Sequence, residues 1–113
     1  MTVNDIIEYG ADTEQGLCRC MNNEEFYIRL VKLLAADVNF SKLTDSIDKG
    51  DLSSAFEAAH AIKGSAANLA ITPICEPICE ITELLRARTE TDYSALLNRI
   101  KEKRDELLRI CEA

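Results

Sequence analysis

Tryptophan is absent from this sequence, and its 113 residues hold only two prolines, four glycines and a single histidine. So few turn formers leave little scope for an all-β chain, whose many short strands need frequent turns. Aromatic residues make up 5%, so a core has to be built from Leu, Ile, Val and Ala. The hydrophobic fraction of 47% is enough to build one and argues against disorder. No apolar run approaches the roughly 20 residues of a membrane-spanning helix, and no basic-then-apolar leader opens the chain. With Met1-Thr2-Val3 as an ordinary start, the expected location is cytoplasmic. Excess positive charge is lacking too. The net charge of −7 makes nucleic acid and anionic membrane surfaces poor partners. The length fits one domain over residues 1–113, and a solvated acidic surface fits a monomer.

Five cysteines are present: Cys18, Cys20, Cys75, Cys79 and Cys111. An odd number without a secretory leader argues against a disulfide framework. Cys75 and Cys79 share a helix face and, with His60, would supply three zinc ligands. No CxxC pair or pair of histidines at ligand spacing accompanies them, so the cysteines read as small buried thiols and no metal is expected.

The apolar spacing is helical throughout, with no strand-like alternation. A short helix over 3–9 stops at Gly10, and residues 10–22 read as a polar connection with Leu17 tucked beneath the bundle. Asn22 and Asn23, followed by Glu24 and Glu25, suit a helix start; Phe26, Leu30, Leu33 and Leu34 give that helix, 23–36, an apolar face. Ser41 caps a short helix over 41–49, closed by Gly50. Asp51 caps the Ala-rich central helix, 52–69. Thr72 and Pro73 suit the start of a helix running 74–88, in which Pro77 predicts a kink or a late start. Thr91 and Asp92 open the last helix, 92–111. The expected architecture is an antiparallel four-helix bundle with one or two short extra helices.

On the central helix, Ala55, Ala59, Ile62, Ala66 and Leu69 cluster on one side at 100° per residue and predict the core face. His60 lies roughly 130° from the middle of that face and is expected to point outward. Lys63 follows at i+3 and Gly64 at i+4, on the same side. A lone exposed histidine, a surface lysine or a helix glycine is each unremarkable alone. Together they are informative, because glycine in a helix interior costs roughly 1 kcal/mol against alanine and core crowding cannot explain it on the solvent side. It clears room beside the imidazole for another molecule, while Lys63 offers positive charge to an arriving anion. Phe56, one turn before His60, and Ala67, two turns after, complete a small smooth surface. Phe56 reads equally well as core.

The stretch Ala59-His60-Ala61-Ile62-Lys63-Gly64-Ser65-Ala66-Ala67-Asn68-Leu69 resembles the signature of the histidine-containing phosphotransfer (HPt) family, in which His-x-x-Lys-Gly lies on the second helix of a four-helix bundle. The segment Gly16-Leu17-Cys18-Arg19-Cys20-Met21 with Glu25-Phe26-Tyr27 resembles that family's entry into its first bundle helix. The chain departs from the family where glycine often follows Asn-Leu: here Ala70 stands, leaving the helix end without its usual stop. The resemblance implies that His60 is phosphorylated on Nε2 by an aspartyl phosphate of a receiver domain and returns the group to the same or another receiver. It implies Lys63 for charge stabilisation, Gly64 for access, and Phe56, Ala67 and Asn68 for partner contact. It further implies response-regulator receivers and a hybrid histidine kinase as partners, no autonomous kinase activity, and no cofactor of the chain's own, Mg²⁺ being supplied by the receiver. A neutral imidazole is a nucleophile near pH 7, and phosphoryl transfer asks mainly for alignment and charge stabilisation. The alternatives are a docking module that binds a receiver or kinase without being phosphorylated, and a domain of a larger kinase, with a free-standing protein preferred.

Overall fold

The computed structural model describes residues 1–112, which form seven helices and, among them, no strand: α1 (Val3–Tyr9), α2 (Thr13–Arg19), α3 (Glu24–Ala35), α4 (Asn39–Asp48), α5 (Leu52–Asn68), α6 (Thr72–Arg86) and α7 (Ser94–Glu112). Side chains build several of the helix starts. Asn23 accepts a hydrogen bond from the Phe26 N–H at 3.1 Å, and Asp51 accepts one from the Ser54 N–H at 3.0 Å. Each satisfies a first-turn amide that has no partner within its helix. Gly10 ends α1 in the left-handed region at φ 113, as its place in the sequence predicts.

The central helix α5 organises the bundle. It packs along α4 on one side and α6 on the other and touches α3, while α7 packs on α6, α3 and α1. Ala55, Ala58, Ala59 and Ala66 are buried together with Ile62, and these small side chains let the flanking helices approach closely. The expected core face of α5 is therefore the observed one. Across from it lie Ile74, Ile78, Ile81 and Leu85 of α6 and Ile100 and Leu107 of α7, all buried.

Several expectations are corrected. Residues 10–22 are not merely a connection: Asp12 accepts from the Gln15 N–H at 3.2 Å and starts α2. Ser41 does not cap α4, which begins two residues earlier, where Asp37 accepts from the Asn39 N–H at 2.8 Å. Pro77 neither delays nor ends α6; the helix runs unbroken from Thr72 with Pro73 in its first turn, and Pro77 is buried within it. A proline so near the start removes a single helical bond, and packing of its ring helps offset that loss. The helix 92–111 opens at Ser94, held by Asp92 at 2.9 Å.

The face of α3 also differs. Tyr27, Val31, Leu34 and Ala35 are buried, whereas Phe26 and Leu33 are exposed, Leu33 at 61%. The Tyr27 hydroxyl decides this: it donates to the Leu69 carbonyl at 3.0 Å, so its ring is buried with its polar end satisfied. Burial, then Cys20, pushes the Tyr27 hydroxyl up to about 12. Gly16 of α2 completes this contact, because a Cβ there would lie 2.5 Å from both the Leu69 carbonyl oxygen and the Tyr27 ring.

Helix α5 stops without a glycine. Ala70 takes the left-handed conformation at φ 53, its N–H bonds the Ala67 carbonyl at 3.1 Å, and the Ile71 N–H bonds the Ala66 carbonyl at 2.9 Å. That pair of bonds is the Schellman arrangement that glycine usually serves. The Arg19 guanidinium reaches the Ala67 carbonyl, and the Asp12 N–H bonds the Ala70 carbonyl at 3.0 Å. Helices α2 and α3 thus fix the C-terminal end of α5, and with it the register of every side chain that α5 presents.

Candidate functional site

His60 is exposed on α5, on the side away from the buried alanines. Its ring stacks on Phe56, with centroids 5.6 Å apart and planes 18° from parallel. Phe56 is half-buried and packs against the core with its inner edge. The two readings of Phe56 are therefore joined: it belongs to the core's margin and also floors the imidazole. Gly64 faces open space, since a Cβ built on it would meet nothing within 4 Å. No packing demand explains its lack of a side chain.

Lys63, one turn from His60, reaches across to α6, where its Nζ lies 3.7 Å from Oε1 of Glu83. The other carboxylate oxygen of Glu83 is 3.3 Å from Nε of Arg86. The Arg86 guanidinium lies over the Phe56 ring at 5.0 Å, and that of Arg88 lies over it at 5.3 Å. A cation over an aromatic face is attracted by the ring quadrupole. The site is consequently built by two helices and the turn after the second: α5 provides His60, Phe56, Lys63 and Gly64, the end of α6 provides the Glu83 carboxylate and the Arg86 guanidinium, and Arg88 comes from the turn that follows α6. Sequence reasoning missed Glu83, Arg86 and Arg88. Their spacing shows them flanking the buried stripe of Ile78, Ile81 and Leu85, but not which flank turns toward α5.

Ala67 and Asn68 are exposed further along α5. Asn68 lines a groove of about 220 Å³ with Ser65 of α5 and Leu30, Leu33, Leu34 and Asp37 from the α3 side. The exposed apolar side of α3 thus continues the surface of α5 toward its C-terminal end. Cys75 and Cys79 sit half-buried on α6; burial, then Cys79, pushes the Cys75 thiol up to about 11. Among the described residues, no three metal-ligating side chains converge, and no helix is long and apolar enough to cross a membrane.

The family model of the Hpt domain matches residues 31–110, which include all of α4, α5 and α6 and most of α7. The chain belongs to the Hpt domain family. Hpt domains are helical bundles that serve phosphotransfer in phosphorelays and interact with receiver domains, in keeping with the fold described above. The match starts after residues 16–27, so that segment's resemblance to the HPt entry lies outside it. Comparison with curated proteins and with solved structures finds no significant match.

Proposed function

We propose that this Hpt domain is a phosphorelay intermediate in which His60 accepts a phosphoryl group from a receiver aspartate and passes it to a receiver. The observation that carries the reading is the chain's single histidine standing exposed beside Lys63 and the open surface of Gly64. In the accepting step a ring nitrogen of His60 attacks phosphorus, the acyl phosphate P–O bond breaks, and the receiver's carboxylate is regenerated. The reverse step restores the imidazole. Such transfer relies on positioning and electrostatic stabilisation rather than on covalent help from further residues. Here His60 is the nucleophile, Phe56 holds the ring from below, and Lys63 offsets the phosphoryl charge. Gly64 lets the receiver's active site close on the imidazole. Mg²⁺ arrives with the receiver.

The partners of this reading are response-regulator receivers and a hybrid histidine kinase. Ala67 and Asn68 extend the contact surface, and Leu30 and Leu33 offer apolar area next to it. Incubation with a phosphorylated receiver is expected to give an acid-labile, base-stable phosphoprotein that is absent in His60→Gln. A wild type that binds receivers but takes no label from any of them would replace the carrier by a docking module.

A further inference from the structure

Lys63 is already engaged in the unmodified site. Its ammonium lies 3.7 Å from Glu83, and Glu83 is shared with Arg86 at 3.3 Å. Arg86 in turn lies over Phe56, on which His60 stacks. The contacts close a circuit from His60 through Phe56, Arg86, Glu83 and Lys63 back to the turn of α5 that carries the histidine.

We propose that Glu83 is a positioning residue for Lys63: it holds the ammonium toward α6 while His60 is unmodified and yields it when a phosphoryl group arrives. The inference rests on the phosphocarrier reading of His60. Its physical basis is competition between two anions for one cation. A phosphoryl group near pH 7 carries between one and two negative charges and three acceptor oxygens, whereas the Glu83 carboxylate carries one charge that it divides between Lys63 and Arg86. The Lys63 and Glu83 side chains are 32% and 59% exposed, and ion pairs so open to solvent are weak. The pair therefore breaks readily in favour of the stronger anion. Arg86 retains Phe56 as a second anchor, so the α6 side of the site keeps its shape when Lys63 leaves. Glu83 thereby lowers the net stabilisation that Lys63 gives the phosphoryl group. A carrier that must release its group as well as accept it gains from such a counterweight.

The test needs no receiver. Phosphoramidate phosphorylates the imidazole directly: its P–N bond breaks, ammonia leaves, a bond forms between the ring nitrogen and phosphorus, and the ring's remaining acidic proton passes to solvent. The ³¹P resonance of the product, followed against pH through the neutral range where the bond is stable, reports the acid dissociation constant of the phosphorylated ring, whose N–H proton is held by the phosphoryl charge and released more easily when Lys63 pairs with that charge. Glu83→Gln frees Lys63 and is expected to raise that constant about two- to five-fold, the scale of an exposed ion pair. In a Lys63→Met background the same substitution is expected to change nothing. An unchanged constant in Glu83→Gln overturns the proposal. So does a change that persists without Lys63, which would mean that Glu83 or the freed Arg86 acts on the phosphoryl group directly. Failure of receiver transfer with this coupling intact would overturn the carrier reading alone.

Discussion

Gly16 and Gly64 are both helix-interior glycines, and they are there for opposite reasons. At Gly16 a Cβ would lie 2.5 Å from the Leu69 carbonyl oxygen and the Tyr27 ring; at Gly64 it would meet nothing within 4 Å. Each gives up helix propensity, worth roughly 1 kcal/mol against alanine. The fold requires that sacrifice at Gly16, where α2 is pressed onto the end of α5. It does not require it at Gly64, one turn from His60. A glycine that no intramolecular contact demands points to a contact made by another molecule.

Substitution at the two positions separates these roles. The largest effect on stability is expected from Gly16→Ala. Forcing a methyl group into backbone and ring atoms costs about 1–3 kcal/mol or more, only partly offset by better helix propensity. The urea midpoint should fall by the equivalent of roughly 2 kcal/mol; an unchanged midpoint would remove the packing explanation. Gly64→Gln should not lower that midpoint, and by helix propensity should raise it slightly, yet it should slow transfer from a phosphorylated receiver about ten- to a hundred-fold, because misplacement by a fraction of a bond length is costly in phosphoryl transfer. Wild-type transfer rates in this variant would show that Gly64 is not an access device. Gly64→Ala should raise stability by up to about 1 kcal/mol, the reverse of Gly16→Ala; a loss would mean that Gly64 also meets a structural need.

The smallest effect is expected at Ala70. An L residue in the left-handed region costs roughly 1–2 kcal/mol, and glycine would remove that strain while forfeiting a buried methyl worth about 0.8 kcal/mol. Ala70→Gly should therefore raise the urea midpoint slightly. A clear fall would show that the methyl's packing outweighs the strain.

The residues that α5 buries and exposes were legible in the sequence because a single period governs both faces: Ala55, Ala59, Ile62 and Ala66 go in, and His60 comes out. The caps at Asn23 and Asp51 were legible for a related reason, since a capping side chain acts on amides two or three residues away. What remained hidden depends on contacts between distant segments. The choice of Tyr27 over Phe26 for burial follows from a carbonyl 42 residues further on. The short helix α2 owes its place to Arg19 and Gly16 meeting the end of α5. Glu83 and Arg86 join the site only because α6 packs beside α5, and nothing in their own neighbourhood marks the flank they occupy. The stop at Ala70 was obscured because α2 with its cap, through Asp12 and Arg19, and α3, through Tyr27, hold the chain there in a conformation that alanine disfavours.

His60 is the proposed point of phosphoryl exchange, and the decisive measurement is transfer from a phosphorylated receiver, followed in wild type and in His60→Gln. Rapid, reversible loss of label from the receiver to wild type is expected, and none to the equally well-folded variant. Label that appears on His60→Gln to the same extent, or fails to appear on wild type with any receiver that binds it, would contradict that role.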